Sequence, residues 1–234
     1  MKIKDVIKGK KVLFYGDSIT HNWNKYDHDL LLLNPDDSVR DQWSYVFTIE
    51  EEGKTSKITN KAVSGGCYAN LNTKARPVWR HFPYQVENSI EDLKEADVIF
   101  VEFGSNDFSD QNPFGSEFEK ANSVMEANAF FKGMNYGFDL IKKYNPKAKV
   151  FVINCLFRTL SVDPGFTYNY SLTEYNLAIA YNVRRYGFTL VDVSHLFSIK
   201  DFNPEVKPSF TNDGLHPNNE GHKRLGEYIL NMEI

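Results

Sequence analysis

A serine near the start of this chain and an aspartate and histidine three residues apart near its end could work together, each set lying in a run of small and polar residues. Gly16-Asp17-Ser18-Ile19-Thr20 follows an apolar run, as do Ser64-Gly65-Gly66-Cys67 and Gly104-Ser105-Asn106-Asp107, while Asp213-Gly214-Leu215-His216-Pro217-Asn218 lies near the C-terminus. Acyl transfer needs this set. A hydroxyl attacks, an imidazole takes its proton, a carboxylate orients the imidazole, and N–H donors meet the oxyanion that forms. Taken singly, each block has a plainer use. Ser18 can cap a helix, because its oxygen accepts from free backbone N–H groups. Gly65-Gly66 can be a tight turn, and residues 104–107 a turn closed by an Asn or Asp side chain. Asp213 and His216 can belong to a surface loop or, with His222, to a metal pair, although three ligands at zinc or iron spacing are missing. Four such blocks together favour the chemical reading.

The blocks need elements to hold them. Five runs rich in Val, Ile and Phe read as buried strands: residues 11–15, 58–63, 98–103, 149–154 and 189–193. They are near-continuous rather than alternating, as parallel strands covered on both faces are. Ser38 and Asp41 have the spacing of a capping box ahead of a helix over 43–49. Helices are predicted at 87–93, 118–144 and 172–185 as well. A last helix is expected to start near Pro217, since proline suits the first helical position, with His222, Leu225 and Ile229 on one face. Strand alternating with helix predicts the α/β class, a three-layer α/β/α sandwich around a parallel sheet of about five strands. No repeat or low-complexity linker divides the chain, so residues 1–234 read as one domain. Such sheets bind ligands beyond the carboxyl ends of their strands. The Ser18, Gly65 and Asn106 turns fall there.

In these blocks the chain resembles the SGNH hydrolases, the superfamily of GDSL-type esterases and lipases. GDSIT is similar to the first block of that family, and residues 60–65 match N-x-A-x-S-G. Residues 104–107 match G-x-N-D, and residues 213–222 match D-x-x-H-P-N-x-x-G-H throughout. The resemblance extends to the run 175–180 and to the strand ending at Val193. It implies a flavodoxin-like fold and no cofactor or metal. It also implies Ser18 as nucleophile, His216 as general base and Asp213 as its orienting carboxylate. The oxyanion donors would be the Ser18 and Gly65 backbone N–H groups and the Asn106 amide, with Gly66 as the alternative register for Gly65.

Composition narrows the partners. A net charge of −4 over 234 residues lacks the basic footprint of a nucleic-acid binder. No long uncharged apolar run suggests a membrane span, and the basic start MKIKDVIKGKKVLFYG lacks the apolar core of a signal peptide. Cys67 and Cys155, the two cysteines, read as free thiols, with Cys67 a small buried residue. A cytoplasmic protein without a membrane partner is the expectation, with export lacking a signal as the alternative. The expected substrate is a short acyl ester, such as an O-acetyl group on a carbohydrate. Trp23, Trp43 and Trp79 offer faces for a sugar ring or belong to the core, and Phe108, Phe157 or Tyr68 could wall off longer acyl chains. Residues 21–38, 72–84 and 156–170 look elaborated around the mouth. Within hydrolases the alternative is a lysophospholipase or thioesterase, toward which DLLLLNP at 29–35 points. A non-catalytic glycan-binding module would have lost Ser18, Asn106 or His216. A nucleotide or flavin binder would carry a G-x-G-x-x-G or P-loop pattern at the first turn, and neither is present. Activity is expected to fall below about pH 6–7 as His216 takes a proton.

Overall fold

All five apolar runs form strands, β1 Lys11–Gly16, β2 Lys57–Asn60, β3 Val98–Glu102, β4 Lys149–Ile153 and β5 Thr189–Val191. They make one parallel sheet in the order β2-β1-β3-β4-β5. The computed structural model describes residues 1–21, 44–159, 168–211 and 213–234. Eight helices surround the sheet among these residues: α1 Ile3–Ile7, α2 Tyr45–Gly53, α3 Phe82–Glu87, α4 Ile90–Glu95, α5 Ser105–Asp110, α6 Phe130–Tyr144, α7 Leu172–Arg185 and α8 Asn219–Asn231. None is long and apolar enough to cross a membrane.

Alternate residues of each strand enter opposite cores, which is why the strands read as continuous apolar runs. Val12, Phe14, Phe100, Phe151 and Ile153 pack with Ile3, Ile7, Tyr45, Ile49, Leu225 and Ile229 of α1, α2 and α8. Leu13, Tyr15, Ile99, Val101 and Val152 pack on the other face with residues of α3, α4, α6 and α7, among them Phe82, Leu93, Phe138 and Ile179. Parallel register sets Phe14 opposite Phe100 and Phe100 opposite Phe151. Their rings stack at centroid distances of 5.0 and 5.1 Å across the middle of the sheet. The architecture is the three-layer α/β/α sandwich.

Several helix boundaries differ from the sequence expectation. Helix α2 begins after Ser44, whose hydroxyl accepts from Val46 N at 3.3 Å, and the Ser38–Asp41 box lies outside the described residues. The stretch 87–93 is broken at Asn88 and Ser89 into α3 and α4. Of 118–144 only the part from Phe130 is α-helical, preceded by a single 3₁₀ turn at Val124–Glu126. Pro217 lies outside α8, bridged to Thr211, and Asn218 caps the helix by accepting from Gly221 N at 3.0 Å. A capping side chain satisfies a helix-end N–H, which proline at the first position only omits.

The chain leaves β1 toward β2 on one side, and β3 returns to the other side of β1. This reversal opens a crevice between the ends of β1 and β3, the switch point at which open parallel sheets bind ligands. Ser18 follows one strand and Asn106 the other.

Candidate active site

Ser18 sits in the turn that leaves β1, closed by His21 N donating to Asp17 O at 3.0 Å; no helix starts at Ser18, so its hydroxyl is not a cap. Its Oγ lies 2.9 Å from Nε2 of His216. Nδ1 of the same ring lies 2.7 Å from Oδ2 of Asp213. The second carboxylate oxygen of Asp213 accepts the backbone N–H groups of Leu215 and His216 at 2.9 and 2.7 Å. The loop is thus folded around its own aspartate. Thr211 fastens it further, accepting from Gly214 N and donating to His216 O, both at 2.8 Å.

These contacts set the charges. Partial burial works against ionisation of Asp213, but the hydrogen bonds and charge of His216 outweigh it and hold the carboxyl at about 2. Burial likewise disfavours the charged His216 ring, and Asp213 overcomes this to raise its pKa above the ordinary histidine value. His222, one turn into α8, is a separate case. Burial pushes it down to about 3, and its Nδ1 accepts from Tyr45 N at 3.3 Å. It stays neutral and structural beside Tyr45.

Among the described residues, the backbone N–H groups of Ser18 and Gly65 have no protein acceptor, whereas Gly66 N donates to Val63 O at 3.0 Å. The glycine register therefore favours Gly65, which turns at φ +76°, a conformation glycine adopts without a side-chain penalty. Asn106 enters α5 just after Gly104, itself at φ +116°. Its Nδ2 donates to Asp17 Oδ2 at 3.0 Å and to Gly66 O at 2.9 Å, while its Oδ1 accepts from Arg76 at 3.1 Å. Arginine only donates, so this contact fixes which end of the amide faces Asp17. Both amide protons are thus engaged in the free protein, and one of these bonds must be shared for Asn106 to reach an oxyanion.

Beneath the turn lies a pair of buried acids that the sequence reading missed. Glu102 ends β3 opposite Gly16, and Thr20 Oγ1 donates to its Oε2 at 3.0 Å. Burial, then the charge of Asp17, push Glu102 well above the ordinary carboxyl range, and burial raises Asp17 as well, the two carboxyl groups being hydrogen-bonded to one another. Asp17 in turn accepts from Ile19 N at 2.9 Å and from Asn106. The only sequence signal was an acidic residue closing an otherwise apolar strand. Arg158 was also missed. It is buried after β4 and donates to Ser105 O and Ser109 Oγ at 2.9 Å; burial raises the Asp17 carboxyl, and the charge of Arg158 opposes that rise in small part.

Phe108 and Phe157 line a cavity of about 740 Å³ with Arg158, Thr159, Tyr168, Leu177 and other residues. Thr159 N donates to Gly214 O at 2.8 Å, so one wall of this cavity adjoins the Asp213 loop. Tyr68 is not such a wall. It is fully buried among Phe82, Phe103 and Phe130, because α6 packs closely over it. Trp79 is 47% exposed, while Trp23, Trp43 and residues 29–35 lie outside the described residues. Cys67 is buried, and burial pushes its thiol well up, away from nucleophilic chemistry.

Three solved structures share the fold over nearly the whole chain. A protein from Lactobacillus plantarum is 19% identical with a TM-score of 0.69, the match covering 95% of each chain. One from Bacteroides ovatus, described as a GDSL-like lipase, is 17% identical with a TM-score of 0.62, covering 94% of this chain and 95% of that one. An acetyl xylan esterase from Geobacillus stearothermophilus is 19% identical with a TM-score of 0.59, covering 99% and 100%. No curated protein matches the sequence significantly. The profile of the GDSL-like Lipase/Acylhydrolase family matches residues 14–224, a span that holds all four blocks, and the chain belongs to that family within the SGNH hydrolases.

Proposed function

We propose that the protein is a serine esterase that removes short acyl groups, acetyl above all, from a carbohydrate or other small alcohol. The observation that carries this reading is the unbroken chain of contacts from Ser18 Oγ through His216 to Asp213. In the proposed cycle Nε2 of His216 takes the Ser18 proton as Oγ attacks the ester carbonyl. The new oxyanion meets the N–H groups of Ser18 and Gly65 and, after a shift of its hydrogen bonds, the Asn106 amide. His216 returns the proton to the departing alcohol. Water then repeats the attack on the acyl-enzyme and releases the acid and the free serine. No cofactor, metal, nucleic acid or membrane takes part in this scheme.

A second reading has its own observation. The cavity beside the Asp213 loop is largely apolar, and its Asn154 and Asp192 side chains bond one another at 2.9 Å rather than facing a ligand unpaired. Such a wall suits a longer acyl group better than a sugar. Nitrophenyl esters of graded acyl length separate the two readings. The short-acyl reading expects kcat/KM to be greatest for acetyl and to decline toward butyryl, since each methylene is worth about 1–3 kcal/mol of discrimination. A rise through octanoyl assigns the cavity to the acyl chain and overturns the acetyl preference.

Asn106→Ala should lower kcat by roughly 10²–10³-fold with little change in KM, because an oxyanion donor acts in the transition state and not in substrate binding. Full turnover in that variant, alongside an inactive Ser18→Ala, would remove Asn106 from the oxyanion site.

A further inference from the structure

Residues 72–80 carry Lys74, Arg76 and Arg80 and no acidic residue, in an otherwise acidic chain. The segment ends in a 3₁₀ turn, Val78–Arg80, and the guanidinium groups of Arg76, ahead of the turn, and Arg80, its last residue, both lie beside Gly65. A Cβ placed on Gly65 would stand 2.9 Å from Nη1 of Arg80 and 3.0 Å from Nη1 of Arg76. Two like charges are therefore crowded at the turn that supplies a proposed oxyanion donor.

Their partners differ. Arg76 donates to Gly65 O at 3.0 Å, to Asn106 Oδ1 and to Asp110 Oδ1 at 2.9 Å, and forms an ion pair with Asp110. Its charge is answered within the fold. Among the described residues the Arg80 guanidinium has no hydrogen bond and no ion pair, and its Nε is buried without an acceptor. The Trp79 ring, 5.0 Å away, is its one close neighbour of note, and that ring supplies no acceptor oxygen. A partly buried arginine left unanswered beside a second cation is unfavourable unless an anion arrives from outside.

We propose that Arg80 selects esters that carry an anionic group, a carboxylate or sulfate, near the scissile bond. An acetyl group has no charge, so the anion belongs to the alcohol part of the substrate, as on an acidic sugar. This inference rests on the serine-esterase reading above. The planar guanidinium, with Nη1 turned to the Gly65 side, offers paired donors that suit a carboxylate or sulfate better than a neutral hydroxyl.

The test compares kcat/KM for 3- and 4-acetoxybenzoate with that for the corresponding uncharged acetoxybenzamides, in the wild type, Arg80→Met and Arg80→Lys. The wild type should favour a charged ester by about tenfold or more, mainly through KM, with the preference shrinking as salt is raised. Arg80→Met should bring the ratio close to one, and Arg80→Lys should keep part of it. Ser18-dependent hydrolysis of both esters with no preference in the wild type would overturn the inference and leave the esterase reading standing. So would an equal loss on charged and neutral esters in a folded Arg80→Met protein, which would mark Arg80 as a support for the turn or the oxyanion itself. Hydrolysis of neither ester above the Ser18→Ala background would sink the esterase reading and this inference with it.

Discussion

Replacing Ser18 with alanine should lower kcat for ester hydrolysis by roughly 10⁴–10⁶-fold, while the protein keeps its fold and KM changes little. Only one oxygen is removed, from a half-buried turn whose backbone is held by Asp17 and His21 rather than by the serine hydroxyl. The fold therefore has small reason to respond. The chemistry has none to survive. Without Oγ, His216 has nothing to deprotonate 2.9 Å away, and only binding and the oxyanion donors remain to speed direct attack by water. Steady-state kinetics beside circular dichroism checks this. A loss of less than tenfold would mean that another residue is the nucleophile.

Asp213→Asn should cost about 10⁴-fold in kcat, by a route the loop geometry specifies. Oδ1 of Asp213 accepts from two backbone N–H groups, at 2.9 and 2.7 Å. In the asparagine variant the amide oxygen must stay with those donors, which turns the NH₂ group toward Nδ1 of His216. Nδ1 then becomes an acceptor, and the ring proton moves to Nε2, where it blocks acceptance of the Ser18 proton. The pH profile carries the second half of the prediction. Burial lowers the pKa of His216, but the Asp213 hydrogen bond and charge raise it further, so the wild-type ring stays protonated to a higher pH than an ordinary histidine. Activity should accordingly be lost as pH falls through this raised value, at a higher pH than an unperturbed histidine would set. Removing the carboxylate should move the His216 titration, followed by NMR of the ring protons, to lower pH. A titration that stays put would deny the coupling to Asp213.

The strands were legible because burial on both faces leaves no polar alternation, and the four blocks because small and reactive residues interrupt that pattern at the strand ends. What the sequence hid depends on contacts between distant segments. Residues 118–129 hold helix formers such as Glu119, Lys120, Ala121, Met125 and Glu126 ahead of α6, yet Asn135 of that helix donates to Glu117 O and Glu119 O and pins the segment as an irregular strap. Tyr68 looked like a mouth residue because it follows a strand end, and only the close approach of α6 at Gly133 carries it into the core. Pro217 offered a helix start that the Asn218 cap took over. At the site, the Ser18, His216 and Asp213 positions were readable from their motifs, whereas Glu102, Arg158 and Arg80 acquire meaning only beside Asp17 and Gly65.

The most direct test of the serine mechanism is covalent. A fluorophosphonate reacts with a serine whose proton an adjacent base removes, and not with an ordinary hydroxyl. Incubation of the intact protein with such a probe, followed by peptide mass spectrometry, should place one adduct on Ser18 with parallel loss of esterase activity, and labelling should vanish in Ser18→Ala and fall sharply in His216→Ala. An unlabelled Ser18 in an active preparation, or an adduct on another residue that tracks the loss of activity, would contradict the account.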